Sequence, residues 1–250
     1  MRWCLVLLLL APVAWAEEVV LGLSRDEVAI TATFDGSDVL IFGAVKREAP
    51  IPEGPPLEVV MTIAGPSEPV LVRRKDRRFG IWVNTDAVEV DRAPSFYAVV
   101  TSAPLRDVLR DVEDLRHRVS IPRAIRSVGA PMSIRDAPAF TDALIRIRKD
   151  ADLYQLIEGG VVVDAQTLFR TSVSLPAALT EGSYVTRIFL TRDGSVISRY
   201  ETVIDVRKVG LERWLFSLSR EQPLIYGLMS LAIAIFAGWG ASAVFSLLRP

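Results

Sequence analysis

The stretch that decides the architecture of this chain is Leu224–Leu248, which reads LIYGLMSLAIAIFAGWGASAVFSLL and contains no charged residue. As an α-helix of about 1.5 Å rise per residue, it would extend roughly 37 Å and cross the ~30 Å hydrocarbon core of a bilayer with some tilt. A buried helix of a large soluble core is the alternative, but such helices seldom run this long without a charge. The sequence therefore predicts one transmembrane helix over residues 223–248.

A second apolar segment opens the chain. Residues 1–16 read MRWCLVLLLLAPVAWA, with Arg2 as a positive start, an apolar run over Leu5–Leu10, and an A-x-A cleavage site at Ala14-Trp15-Ala16. A retained anchor is the weaker interpretation, because this run is too short to span a bilayer. We therefore predict a cleaved signal peptide, a periplasmic domain, a single span in the bacterial inner membrane, and a cytoplasmic tail of residues 249–250.

Composition argues against several classes of function. The formal net charge is −1, so we expect no nucleic-acid partner. The only cysteine, Cys4, would leave with the signal peptide, and with it any disulfide, thiol nucleophile or cysteine metal ligand. The only histidine, His117, has no hydrolase or metalloprotease motif around it, and a solvated surface histidine is the favoured interpretation. We expect no catalytic residue, cofactor or metal, although carboxylate-only chemistry leaves no sequence signature.

Residues 17–103 follow a period of two, which is typical of β-strands. The pattern is clearest at Val28, Ile30, Ala32 and Phe34, and Gly/Pro pairs separate the successive short strands. Strands of this length and spacing indicate an Ig-like antiparallel β-sandwich. The Cys–Trp–Cys core of antibody domains is absent from the sequence, so the prediction concerns architecture alone.

The period changes to 3.6 in residues 104–160, which predicts a helical segment. One apolar helix face would hold Leu105, Val108, Leu109, Val112, Leu115 and Val119. A second helix is predicted to begin at Asp136 as N-cap, with Phe140, Leu144 and Ile147 pointing inward.

Residues 161–208 return to the strand pattern, with the clearest hairpin of the chain turning at Asp193-Gly194. We expect this β-hairpin-rich part to pack against the helices or the first sheet. The fold class is thus predicted as mainly β with a helical insertion, followed by one C-terminal transmembrane helix.

A short amphipathic helix is predicted over residues 209–222. Its apolar face holds Leu211, Trp214, Leu215 and Leu218, which suit a membrane interface. The alternative is a first turn of the membrane helix that packs on the domain before it.

The densest charge run, Arg73-Arg74-Lys75-Asp76-Arg77-Arg78, falls on a predicted hairpin tip. It would suit an anion, a phospholipid head group or an acidic partner surface. A solvated turn that protects a sheet edge is the simpler and favoured interpretation.

Within the membrane helix, small residues recur every fourth position. They are Ser230, Ala234, Gly238, Ser242 and Ser246. Such a stripe lets a second helix approach closely, and we predict that it packs against a partner or against a second copy of this chain.

Several segments resemble the alphaproteobacterial transmembrane protein family, a group of unknown function. They are Gly80–Asn84, Pro94–Val99, Gly182–Tyr184, Lys208–Gly210, Tyr226-Gly227 and Gly238-Trp239. The resemblance implies an envelope protein with a signal peptide, a periplasmic domain and a C-terminal span. It also implies a transport accessory, since members are often encoded beside permeases resembling sulfite or taurine-type exporters. Trp82, Phe96 and Tyr97 are interpreted as strand residues that pack the sandwich, and Asn84 as a turn residue.

Together these patterns predict a non-enzymatic, single-pass inner-membrane protein. Its partners would be the lipid bilayer and either a polytopic membrane protein, for which it is an accessory subunit, or a second copy of itself. The alternative is a periplasmic small-ligand sensor, or a carboxylate-based enzyme, held in the membrane by its span.

Overall fold

The computed structural model describes residues 17–24, 27–30, 36–47, 50–51, 53–129, 134, 136–208 and 211–248. The predicted signal peptide and cytoplasmic tail lie outside these residues. The chain forms two compact units. The first holds most of the β-sheet residues and four helices, and the second, which comprises Ala29–Phe34 and Arg207–Pro250, holds the two C-terminal helices.

Strands dominate the first unit, which confirms the mainly β prediction. They are β1 (Glu18–Leu23), β2 (Glu27–Ile30), β3 (Gly36–Lys46), β4 (Glu58–Ala64), β5 (Ser67–Arg78), β6 (Ile81–Pro94), β7 (Tyr97–Thr101), β8 (Tyr154–Ile157), β9 (Val162–Asp164), β10 (Leu168–Pro176), β11 (Gly182–Arg192) and β12 (Ser195–Lys208). The helices are α1 (Leu105–Val108), α2 (Asp111–His117), α3 (Ile121–Ala124), α4 (Ala137–Asp150), α5 (Leu211–Glu221) and α6 (Pro223–Leu248).

The strands form three sheets. Their orders are β1-β3-β10-β9, β2-β12-β11-β4-β7-β8, and the two-stranded ribbon β5-β6. Strands from both predicted β regions share sheets, because β10 pairs with β3 and β11 pairs with β4. One pair, β7 with β8, is parallel rather than antiparallel. A parallel pair needs a long crossover, and the helical segment between these two strands supplies it.

The six-stranded sheet is buried on both faces at its centre. Every residue of β7 is buried, as are the five central residues of β4. On one face Val60, Val99 and Phe189 join a core with the helices and the base of the ribbon, including Val108, Val119, Phe140, Leu144, Val72, Val88 and Val90. The helical insertion thus forms a layer over this face.

The four-stranded sheet is buried on one face only. Residues of β10 alternate between exposed and buried, with Phe169, Val173 and Leu175 inward. Its edge lies beside β8, since Gln155 Nε2 donates to the Ser174 carbonyl at 3.0 Å. Alternate burial is the pattern of a sheet that packs one face against another layer. An Ig-like strand topology stays a prediction.

The predicted continuous helix over Leu105–Val119 is wrong, because the segment is divided into α1, α2 and α3. Leu109 is extended (φ −146°, ψ 121°) and ends α1, and Arg118 (φ 51°) ends α2. Val112 and Leu115, predicted inward, are exposed, and so is Ile147 of α4. Val108, Leu109, Val119, Phe140 and Leu144 are buried as expected.

The predicted hairpin turn at Asp193-Gly194 is confirmed. Asp193 (φ 51°) and Gly194 (φ 70°) connect β11 to β12. Positive φ at both central residues is the type I′ signature, whose twist matches that of the paired strands.

The second unit contains α5 and α6. Helix α6 includes a 20-residue stretch, Pro223–Ser242, with mean hydropathy 1.8, long and apolar enough to cross a membrane. In α5 the described side chains of Leu215 and Leu218 are half-buried and Trp214 is 51% exposed. The side chain of Leu211 lies outside the described set.

Candidate functional site

Two arginine-rich surfaces stand out in the first unit. One is the distal part of the β5–β6 ribbon, residues 73–82, which we call the basic hairpin. The other is an open groove lined by arginines from several elements, which we call the arginine groove.

The basic hairpin combines positive charge with exposed apolar side chains. The turn residues Phe79 (φ 50°) and Gly80 (φ 86°) reverse the chain with positive φ at both positions. Phe79 is fully exposed, and Ile81 and Trp82 are 64% and 69% exposed. The interpretation of Trp82 as a packing residue is therefore wrong, whereas Phe96 and Tyr97 are fully buried. Asn84 lies within β6 and not in a turn.

The cations of the basic hairpin fall into two kinds. Arg74 pairs with Asp86 (3.6 Å) and Asp136 (2.5 Å), and its guanidinium lies 4.6 Å from the Phe140 ring centroid. Arg74 therefore fastens the ribbon to α4. The others are exposed, and no carboxylate among the described residues lies within ion-pair distance of them; they are Arg73, Lys75, Arg77 and Arg78.

The arginine groove encloses about 940 Å³. Its cations are Arg92, Arg118, Arg123, Arg126, Arg187 and Arg199. They come from β6, the end of α2, α3, the segment after α3, β11 and β12 respectively. The groove has one carboxylate in its lining, Glu201, which is bonded to Arg199. The groove is therefore strongly positive.

Arg187 is held rigidly at the base of this groove. It donates from Nε to Thr62 Oγ1 (3.1 Å), from Nη1 to the His117 carbonyl (2.7 Å) and from Nη2 to the Tyr97 hydroxyl (3.1 Å). All these acceptors are neutral. A fourth bond runs from Nη2 to the Arg118 carbonyl (3.2 Å), so most of the N–H donors are occupied and the guanidinium holds its positive charge in a fixed orientation.

Burial is the main cause of the pKa shifts of two core tyrosines, Tyr97 and Tyr154. Burial raises the pKa of the Tyr97 hydroxyl, against the opposing effect of the Arg187 charge. Burial raises the pKa of Tyr154 to about 12. Both hydroxyls donate to backbone carbonyls, of Val119 and Pro94 respectively, so both serve as structural donors.

His117 is not the solvated residue that the sequence favoured. Its ring centroid lies 5.3 Å from that of Phe189, and its side chain is largely covered. Burial lowers the pKa of His117, although Glu113 acts in the opposite direction. The His117 Nε2–Glu113 Oε2 distance is 3.3 Å, a contact that becomes an ion pair only when His117 is protonated, and Oε2 has no hydrogen-bond partner among the described residues. Within the described part of the chain, no group of three or more His, Cys, Asp or Glu side chains is arranged to hold a metal.

The small-residue stripe lies on α6 as expected from its spacing. Ser230, Ala234, Gly238 and Ser242 are exposed, and a Cβ added at Gly238 would meet no atom within 4 Å. Ser230 Oγ donates to the Tyr226 carbonyl at 2.9 Å. The Ser246 side chain lies outside the described set.

The arginine groove and the exposed Phe79 were missed by sequence reasoning. Three of its arginines, Arg118, Arg123 and Arg126, lie in a basic stretch without acidic residues (residues 115–135), which was the available signal, whereas Arg92, Arg187 and Arg199 come from distant strands. Phe79 follows directly on the charge run, and its place before a glycine at a hairpin tip was the available signal.

One known protein family matches nearly the whole chain, including helix α6. The family model described as "Putative transmembrane protein (Alph_Pro_TM)" matches residues 18–246. No curated protein matches the chain.

Proposed function

Because the chain belongs to the Alph_Pro_TM transmembrane family, we propose that it is a single-pass inner-membrane protein with its β-rich domain in the periplasm. In this proposal it is a non-enzymatic accessory subunit that docks on a multi-spanning membrane protein. The family resemblance further suggests an exporter of the sulfite or taurine type as that partner.

The observation that carries this proposal is the exposure of large apolar side chains beside arginines in the basic hairpin. Phe79, Ile81 and Trp82 expose large apolar side chains at the end of a two-stranded ribbon, where they stabilise no core. Exposed aromatic residues beside arginines are the side chains that dominate the energy of protein interfaces. A merely solvated turn would need neither.

The charge of the basic hairpin defines the charge that a partner surface needs in order to be complementary. Arg73, Lys75, Arg77 and Arg78 have no carboxylate within ion-pair distance among the described residues. The fitting surface is therefore acidic around an apolar depression large enough for an aromatic side chain. An α6 stripe of small residues adds a second contact inside the membrane, by close packing of helices.

Site-specific photocrosslinking in intact cells tests the proposal. A photoreactive phenylalanine analogue replaces Phe79 in the full-length chain, and the control places it at Leu168, which is 54% exposed on β10. We expect an adduct with one multi-spanning protein from position 79, lost in Arg77→Glu/Arg78→Glu, and none from position 168. Adducts with lipid alone, or no adduct, would overturn the docking role.

The alternative function, a small-ligand sensor, has the arginine groove in its favour. The two functions can be told apart, because a sensor requires a ligand in the arginine groove, whereas docking through the basic hairpin does not.

A further inference from the structure

We propose that the arginine groove is a binding site for an organic anion that carries a phosphoryl group. The proposal goes beyond the docking function and rests on the groove alone. Three features carry it: two arginines placed opposite each other by a backbone bridge, an ordered guanidinium, and a lining that neutralises few of its charges.

Arg92 and Arg126 are held directly opposite each other. They form an isolated antiparallel bridge, with Arg92 N donating to the Arg126 carbonyl (3.1 Å) and Arg126 N to the Arg92 carbonyl (2.9 Å). Like charges directly opposite in such a pair are destabilising. A fold that keeps two arginines in this position gains stability when an anion lies between them.

Arg187 supplies the fixed point of the site. Its guanidinium bonds to four neutral acceptors, which leaves its charge uncompensated but occupies most of its five N–H donors, so it attracts an anion mainly through its charge. Because the side chain is already ordered, an anion that binds there does not have to order it, which lowers the entropic cost of binding.

The carboxylates near the arginine groove are engaged elsewhere. Glu201 is bonded to Arg199. Asp114 accepts from Val119 N, Ser120 N and Ser120 Oγ, and Asp91 accepts from Val128 N at 2.6 Å. No carboxylate among the described residues pairs with the remaining five arginines of the groove.

Size and lining define the class of ligand. At about 940 Å³, the groove has room for far more than an inorganic ion. Its walls also include apolar side chains, among them Ile125, Val128 and Val185, which suit a carbon skeleton. A phosphate monoester carries up to two charges on three free oxygens and a phosphodiester carries one charge on two, and both accept N–H donors from more than one guanidinium. A phosphate ester or a phospholipid head group fits this description.

The test is binding to the purified full-length chain in an uncharged detergent, measured by isothermal titration calorimetry and thermal unfolding. The probes are glycerol phosphate, short-chain phosphatidylglycerol and an oligoglutamate peptide, each at ionic strength matched with chloride, because salt screens exposed charges. We expect saturable binding of at least one phosphoryl probe. Which one binds distinguishes a soluble ester from a lipid head group.

Two double variants with the same change in net charge locate the site. Arg92→Gln/Arg126→Gln removes the facing pair, and Arg77→Gln/Arg78→Gln removes two arginines from the basic hairpin. The groove variant should weaken phosphoryl binding by about tenfold, the size expected for losing one or two charge-assisted hydrogen bonds, and the hairpin variant should leave it within about twofold.

Thermal unfolding separates a binding role from a structural one. Without a ligand, the groove variant should unfold at the wild-type temperature or higher, because it removes the repulsion between Arg92 and Arg126. A ligand should no longer raise its unfolding temperature. Equal weakening in both double variants would overturn the proposal. Failure of both phosphoryl probes to bind would also overturn it. If oligoglutamate alone binds, the groove is a surface for an acidic peptide instead.

Discussion

The two arginine-rich surfaces differ in how their charge is assembled. The basic hairpin takes its cations from one continuous run, and they surround exposed Phe79 and Trp82. The arginine groove combines three arginines of residues 118–126 with Arg92, Arg187 and Arg199 from three strands, and fixes Arg187 against neutral acceptors. In this protein, the charge that is contiguous in sequence lies on a protruding ribbon, whereas the charge that the fold assembles lines a concave groove.

The largest expected effect is on stability. Arg187→Leu leaves the His117 carbonyl, the Tyr97 hydroxyl and Thr62 without their donor. It should lower the free energy of unfolding by roughly 3 kcal/mol, whereas Arg77→Leu at the exposed hairpin should change it by less than about 0.5 kcal/mol. Denaturant unfolding of the full chain in detergent, followed by circular dichroism, measures both. Equal losses of unfolding free energy in the two variants would contradict the structural difference between the surfaces.

A substitution in α6 tests whether partner contact runs through the membrane helix as well as through the basic hairpin. Gly238 sits in the small-residue stripe, where a larger side chain would hold two helix backbones apart. Gly238→Leu should reduce recovery of a crosslinked membrane partner, or of the protein's own dimer, by about tenfold without lowering insertion or abundance. Ile235→Leu, away from the stripe, is the control.

Quantitative immunoblotting of the crosslinked fractions measures these recoveries. Unchanged recovery in Gly238→Leu would mean that α6 is an anchor and that contact runs through the basic hairpin alone.

A smaller effect is expected on the pH dependence of stability, through His117. Burial lowers the pKa of His117 below 6.5, with Glu113 opposing and Arg199 and Arg116 reinforcing the shift. The unfolded chain therefore binds a proton more readily, so this residue subtracts stability as pH falls below 6.5, and no further once the folded-state pKa is passed. Unfolding midpoints between pH 7.5 and 5 should decline less in His117→Gln than in wild type. An identical decline would show that His117 does not cause it.

Sequence reasoning predicted features that are local. The Asp193-Gly194 turn and the uncharged helix α6 depend on neighbouring residues, and each is where it was expected. The basic run, expected at a hairpin tip, forms the end of strand β5, and the turn itself is Phe79-Gly80. The chemistry of a turn or a long apolar run is enforced by sterics and solvation within a few residues, which a single sequence displays.

Features that depend on distant contacts were not predictable. The period of 3.6 from Leu105 to Val119 suggested one helix, but the Arg110 N–H donates to the Gly194 carbonyl, which holds the chain to the distant β11–β12 turn where α1 has ended. Trp82 has the residue type of a packing position but lies on a ribbon that extends beyond the core. The arginine groove exists only once β6, β11 and β12 are brought together.

The most direct test of the division of labour is the crosslink yield from position 79 in cells, compared between two charge-reversal variants. Arg77→Glu/Arg78→Glu should abolish the adduct with the membrane protein partner. Arg92→Glu/Arg126→Glu, with the same change in net charge, should retain it at the wild-type level. Loss of the adduct in both variants, or its persistence in both, would contradict the assignment of docking to the basic hairpin.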